Sequence, residues 1–142
     1  MKITIVYQSR KGKTALYARA MAMYLWQKGA SVSLCATSDF VKEKLEHCDC
    51  LMLGCWTSGW FVINQHPNKI WVEFAEKYLQ GELPRNLLLF TTYKICTGSL
   101  FKRMKSKMNL RRVESIQFLK SKTGILSADD KIVLDEIVKS SV

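Results

Sequence analysis

The chain has 142 residues, 48% of them hydrophobic and 24% charged. That balance excludes a disordered polymer and supports one compact domain over residues 1–142. Lys and Arg number 22 against 12 Asp and Glu, a net charge of +10, so the field attracts acidic proteins, nucleic acid, phospholipid headgroups or phosphorylated ligands without choosing among them.

No apolar run reaches the roughly 18 residues of a membrane span. Met1-Lys2 leads straight into a strand pattern, so the expectation is a cytoplasmic protein without a signal peptide. Five cysteines (Cys35, Cys48, Cys50, Cys55, Cys96) are scattered and odd in number. They read as reduced core thiols rather than a disulfide framework.

Residues 2–7 read as a strand, with Ile3, Ile5 and Val6 as its apolar content. The loop Gln8-Ser9-Arg10-Lys11-Gly12-Lys13-Thr14 follows, and a helix runs over 14–28 to Gly29. A strand feeding a polar loop that opens a helix can hold a phosphate. The free N–H groups of the first turn point at the anion, and the positive end of the helix dipole attracts it. Ser9 and Thr14 offer hydroxyls, and Lys11 and Lys13 offer charge. Gly12 permits a tight turn. A nucleoside-triphosphate loop would need its first glycine at Tyr7, so that pattern fails. The plain alternative is a solvated basic turn at a helix start.

Further along, 31–35 reads as a strand, 39–46 as a short helical stretch and 49–55 as a strand buried on both faces. Residues 56–66 read as a long loop rich in aromatics: Trp56, Trp60 and Phe61. Exposed aromatics need a cover. A stacked planar ring would add about 1 kcal/mol per pair beyond burial; packing under the loop is the alternative. Pro67 opens a helix over 68–79 that Gly81 ends. A strand at 86–91, a loop at 92–98, a basic helix at 99–108 and a strand at 113–119 follow. Ser127 caps the last helix, with Asp129 and Asp130 in its first turn.

Five strands alternating with helices predict an α/β three-layer sandwich. Its five-stranded parallel sheet has the order 2-1-3-4-5, with helices on both faces. The loops after strands one, three and four then converge at the carboxyl ends of the strands, where such sheets bind ligands.

The sequence resembles the short-chain flavodoxins over nearly its whole length. Three blocks carry the likeness: Gln8-Ser9-Arg10-Lys11-Gly12-Lys13-Thr14, then Leu53-Gly54-Cys55-Trp56-Thr57-Ser58-Gly59-Trp60, then Phe90-Thr91-Thr92-Tyr93-Lys94 with Thr97-Gly98. The resemblance implies the flavodoxin-like fold, FMN as cofactor and electron transfer as activity. Ser9, Arg10, Lys11, Gly12, Lys13 and Thr14 would hold the phosphate. Trp56, Thr57, Ser58, Gly59 and Trp60 would flank one side of the flavin. Thr92, Tyr93 and Lys94 would flank the other. The Ser58-Gly59 peptide would face flavin N5, and Lys94 would favour the reduced, anionic ring. Flavodoxins are generally acidic, whereas this chain is basic, and Trp60 stands where an acid is common. More distantly, the chain is similar to the menaquinone-dependent protoporphyrinogen oxidase.

His47, Cys48, Cys50 and His66 do not have metal-ligand spacing, so no metal is expected. No catalytic residue is nominated. Segment 94–122 is a basic face with Glu114 as its single acid. It suits an acidic redox partner protein and allows peripheral membrane contact; a solvated helix face is the plain alternative. Nucleic acid fits poorly, because aromatics do not interleave with the cations. The expected function is therefore FMN-dependent electron carriage. Its rivals are a small flavin oxidoreductase acting on a quinone or porphyrinogen, and a binding module that has lost FMN.

Overall fold

The computed structural model describes residues 1–60 and 63–140, with the backbone alone for residues 59, 60, 63 and 64. The elements in chain order are β1 (Lys2–Gln8), α1 (Lys13–Gln27), β2 (Ser31–Ala36), two short 3-10 turns (Thr37–Asp39 and Lys42–Leu45), β3 (Cys50–Trp60), β4 (Ile63–Pro67), α2 (Lys69–Tyr78), β5 (Asn86–Thr92), α3 (Leu100–Ser106), β6 (Ser115–Ser121) and α4 (Ala128–Lys139). The main sheet has the order β2-β1-β3-β5-β6, and every neighbour along it is parallel. This is the expected 2-1-3-4-5 order of the five parallel strands. β4 stands off that path and pairs antiparallel with β3.

The strand period of two sends alternate residues into two separate cores. Ile3, Ile5, Met52, Leu88 and Phe90 pack under α1 and α4, against Tyr17, Met21, Leu25, Leu134 and Ile137. Val6, Leu51, Leu53, Leu87 and Leu89 pack on the other face, against Trp71 and Phe74 of α2 and Leu100 and Met104 of α3. Each such buried side chain contributes about 1.5–3 kcal/mol. Tyr17 adds a polar tie. Its hydroxyl donates to Asp130 Oδ2 at 2.9 Å, and the same oxygen accepts from the Ser127 amide at 3.0 Å. Burial, reinforced by the Asp130 carboxylate, pushes the Tyr17 phenol far above its ordinary range, so it stays a donor.

The largest departure from the sequence reading is at 56–66. Instead of a loop, β3 continues to Trp60 and returns as β4. Trp56, Thr57 and Trp60 are residue types that suit a pleated surface, and Thr57 pairs with Pro67, Ser58 with His66. Pro67 accordingly ends β4 rather than opening α2, and Asn68 is the helix N-cap. Phe61 lies outside the described residues. The last parallel strand begins at Ser115, two residues later than its pattern suggests. The amides of Glu114 and Ser115 both donate to Arg85 O there, which sets Asn86 against Ser115. The 39–46 stretch resolves into the two 3-10 turns, the second being Lys42–Leu45.

Gly54 is the tightest point between strands. A Cβ there would fall inside the Phe90 ring, and Phe90 is itself held edge-on by Tyr17, with centroids 6.0 Å apart. We expect Gly54→Ala to lower unfolding free energy in urea by about 1–3 kcal/mol. Gly81→Ala, with nothing within 4 Å of the added methyl, should leave the midpoint unchanged.

Candidate functional site

The carboxyl ends of β1, β3 and β5 finish level. Gln8 lies beside Cys55, Cys55 beside Thr91, and Trp56 beside Thr92. The segments leaving these strands therefore meet at one edge, as the strand order requires.

The first of them is built to leave a helix start open. Gly12 is the N-cap of α1 with φ 96°, a left-handed conformation that glycine adopts without strain. Its amide donates to Ser9 Oγ at 3.1 Å. No side chain caps α1, and its first turn holds no acid. The opposite choice is made at α4, where Ser127 and Asp130 form a reciprocal capping box and Asp129 and Asp130 offset the dipole. One helix closes its N-terminus with its own side chains; the other presents its N–H groups and positive end outward.

Hydroxyl pairs lock the three segments together. Thr14 Oγ1 lies 2.7 Å from Thr92 Oγ1, in a buried contact. Thr91 Oγ1 donates to Cys55 O at 2.7 Å. Its single proton is thereby used, so Thr57 donates to Thr91 Oγ1 across 2.8 Å.

Between them lies a cavity of about 280 Å³. Ser9, Arg10, Lys11, Lys13 and Thr14 line it from the first segment, Trp56, Thr57 and Ser58 from the second, and Thr92, Tyr93 and Lys94 from the third. Gly12 sits at the helix start beside it. Gly59 falls in the register shift between Ser58 and Trp60, where the β3–β4 ladder is interrupted. The side chain of Trp60 is outside the described residues, as is Phe61. Residues from each of the three sequence blocks thus line one cavity, while Gly12, Gly59, Thr97 and Gly98 are not among the lining residues.

Trp56 and Tyr93 form the aromatic walls, and cations cover both. The Arg10 guanidinium carbon stands 5.3 Å from the Trp56 ring centroid. Lys120 Nζ and Lys122 Nζ each stand 5.8 Å from the Tyr93 ring centroid. Sequence reasoning placed these two lysines on a general basic face and missed their place at the site. β6 delivers them, because the Tyr93 amide donates to Ser121 O at 3.1 Å. Arg10, Lys11, Lys13 and Lys94 line the cavity with no carboxylate among the lining residues. Ion pairs among the described residues use other cations: Lys28, Lys69, Arg85 and Arg112.

A wider depression of about 730 Å³ lies at the opposite end of the sheet. Its charges are mixed, and four of them are matched in pairs, Arg85 with Glu114 at 3.7 Å and Arg112 with Glu82 at 2.9 Å. It offers no comparable site. Burial pushes the Cys55 thiol well up, as befits a core cysteine. Among the described residues, no three His, Cys, Asp or Glu side chains gather to hold a metal ion.

No family model and no curated protein matches the sequence. Solved structures do match. Flavodoxin 2 from Bacillus cereus superposes with a TM-score of 0.73 at 17% identity, covering 99% of each chain. The Streptococcus pneumonia TIGR4 flavodoxin superposes at 0.72 and 14% identity, covering 100% of each chain. Two-electron reduced Megasphaera elsdenii flavodoxin superposes at 0.69 and 20% identity, covering 96% of this chain and 98% of its own. The fold is flavodoxin-like.

The Thr14–Thr92 contact should register as coupling between two distant segments. Thr14→Val and Thr92→Val should each destabilise the protein by leaving one buried hydroxyl unpaired. The double variant should recover about 1 kcal/mol relative to their sum, measured by urea unfolding.

Proposed function

We propose that residues 1–142 form one FMN-binding domain that carries electrons in the cytoplasm and has no catalytic residue of its own. The observation that carries this reading is the coincidence, at one cavity, of an uncapped helix start, a hydroxyl- and cation-rich loop and two aromatic walls. FMN, when bound, supplies the redox chemistry; the protein sets its position and electrostatic surroundings.

The donor set suits a phosphate monoester. The first-turn amides of α1, Ser9, Lys11 and Lys13 supply donors and charge. In the Thr14–Thr92 pair one hydroxyl donates to the other, which leaves one proton for a phosphate oxygen. The aromatic walls suit a flat ring system. A ring entering the Trp56 face must displace Arg10, whose guanidinium then becomes available to the phosphate end. Gly59 falls at the ladder interruption, so the Ser58-Gly59 peptide borders the break just after the Ser58–His66 pair.

The same charges shape the redox partner. Lys94 lines the cavity, Lys120 and Lys122 stand over its Tyr93 wall, and none of the three makes an ion pair among the described residues. An acidic protein is the complementary partner. A second reading, a module that keeps the fold without flavin, draws support from Arg10 already occupying the Trp56 face.

Titration with FMN, followed by tryptophan fluorescence, separates the two. Saturable quenching with a one-to-one endpoint is expected, and Ser9→Ala with Lys13→Ala should weaken it by about tenfold or more. Absence of quenching and of a yellow complex would favour the module.

Cations around the ring should ease the addition of negative charge to it. Replacing Lys94 by Glu in the FMN-loaded protein is expected to lower the reduction potential by roughly 50 mV or more at an effective dielectric near 20. A potential unmoved in potentiometric titration would sink the electrostatic argument.

A further inference from the structure

Tyr93 has two kinds of neighbour. It walls the cavity, and it carries two ammonium groups, Lys120 Nζ and Lys122 Nζ, that are not among the lining residues. We propose that Tyr93, Lys120 and Lys122 act as one unit that makes the cavity prefer the reduced, electron-rich form of its flat ligand over the oxidised form. The inference rests on the flavin reading above and adds to it the redox state that this wall selects.

The backbone builds the unit. Lys120 and Lys122 flank Ser121, the last residue of β6. Ser121 is buried, and its carbonyl accepts from the Tyr93 amide at 3.1 Å. Its hydroxyl accepts from the Thr123 and Gly124 amides at 3.2 and 2.9 Å, which fixes the turn after the strand. The main chain between the two lysines is thus tied to the main chain of the ring they cover. Both lysines are exposed and make no ion pair among the described residues. Asp130, which reaches the neighbouring Tyr17, is already bonded by that hydroxyl and by the Ser127 amide.

The two aromatic walls differ in what remains when a ligand enters. Arg10 covers Trp56 from within the cavity lining, so an entering ring displaces it. Lys120 and Lys122 stand outside the lining, so they stay on Tyr93 when the cavity fills. An aromatic face is electron-rich and repels a second electron-rich face. A cation at the ring draws on the same quadrupole, which leaves Tyr93 less repulsive toward a stacked ring. A flavin gains electron density, and then negative charge, on reduction. A bare tyrosine wall therefore favours the oxidised ring; this capped one relieves that bias, and the ammonium charges act in the same direction. Selection comes from contact with one ring rather than from net charge.

The test is titration of the full chain with oxidised FMN and, under dithionite, with reduced FMN, beside potentiometry of the loaded protein. Lys120→Gln with Lys122→Gln should lower the ratio of Kd for oxidised to Kd for reduced FMN by about tenfold, a fall of about 30 mV in the two-electron potential. The urea midpoint should not move, and Lys120→Arg with Lys122→Arg should restore the ratio. Tyr93→Phe should keep the lysine effect, whereas in Tyr93→Leu the glutamine pair should change the ratio by about threefold or less. Without any flavin, proton resonances of the two lysine ε-methylenes should be shifted upfield by the ring and return in Tyr93→Leu. Arg111→Gln with Arg112→Gln removes the same charge at the opposite end of the sheet and should leave the ratio unchanged. FMN that binds with a ratio unmoved by the glutamine pair, a lysine effect undiminished in Tyr93→Leu, or an equal effect from the arginine pair would each overturn the inference alone. Failure of either form of FMN to bind would remove the flavin reading and this inference together.

Discussion

The parallel register of β1, β3 and β5 is the constraint from which the site follows. Because Gln8, Cys55 and Thr91 lie abreast, three segments from distant parts of the chain leave the sheet at one height. That register depends on close approach at Gly54, where the Phe90 ring occupies the space a side chain would need. Phe90 is in turn braced by Tyr17, and Tyr17 by Asp130. The line of contact from the centre of the sheet to the start of α4 leaves α1 fixed, and with α1 the loop that precedes it.

On that frame the molecule handles helix charge in two ways. The start of α4 is closed by Ser127 and Asp130. The start of α1 is left open behind Gly12, and the residues nearby add cations rather than acids. Uncompensated amides, dipole and cations all raise the cost of an empty site and the gain from an anion. The threonine pairs add rigidity, and in the Thr14–Thr92 pair only one of the two hydroxyls donates to the other.

The positive charge is unevenly used. Near Glu82 and Glu114 it is matched by ion pairs. Around Tyr93 it is unmatched and stands over an aromatic face. On α1 and α4 it is mixed with exposed apolar side chains. These are three different environments: a solvated ion-pair surface of small energetic consequence, a field directed at a cavity, and an outer helix face where charges of both signs stand beside apolar side chains. Net charge alone cannot distinguish them.

Features carried by neighbouring residues were legible in the sequence. Strand one, its hydroxyl loop and the following helix follow from a short apolar run, Gly12 and a helix-forming run; the alternation of elements dictates a parallel sheet; Ser127 and Asp130 announce a cap. The hairpin at β3–β4 was not legible, because aromatics suit a strand and a ligand loop alike and only pairing with residues up to Pro67 decides between them. Tertiary structure also decided that Lys120 and Lys122 cover Tyr93, that Arg10 covers Trp56, and that Thr14 meets Thr92. The physical reason is the same in each case: local pattern selects helix, strand or turn, but a contact between remote residues exists only once strand register and side-chain direction are set together.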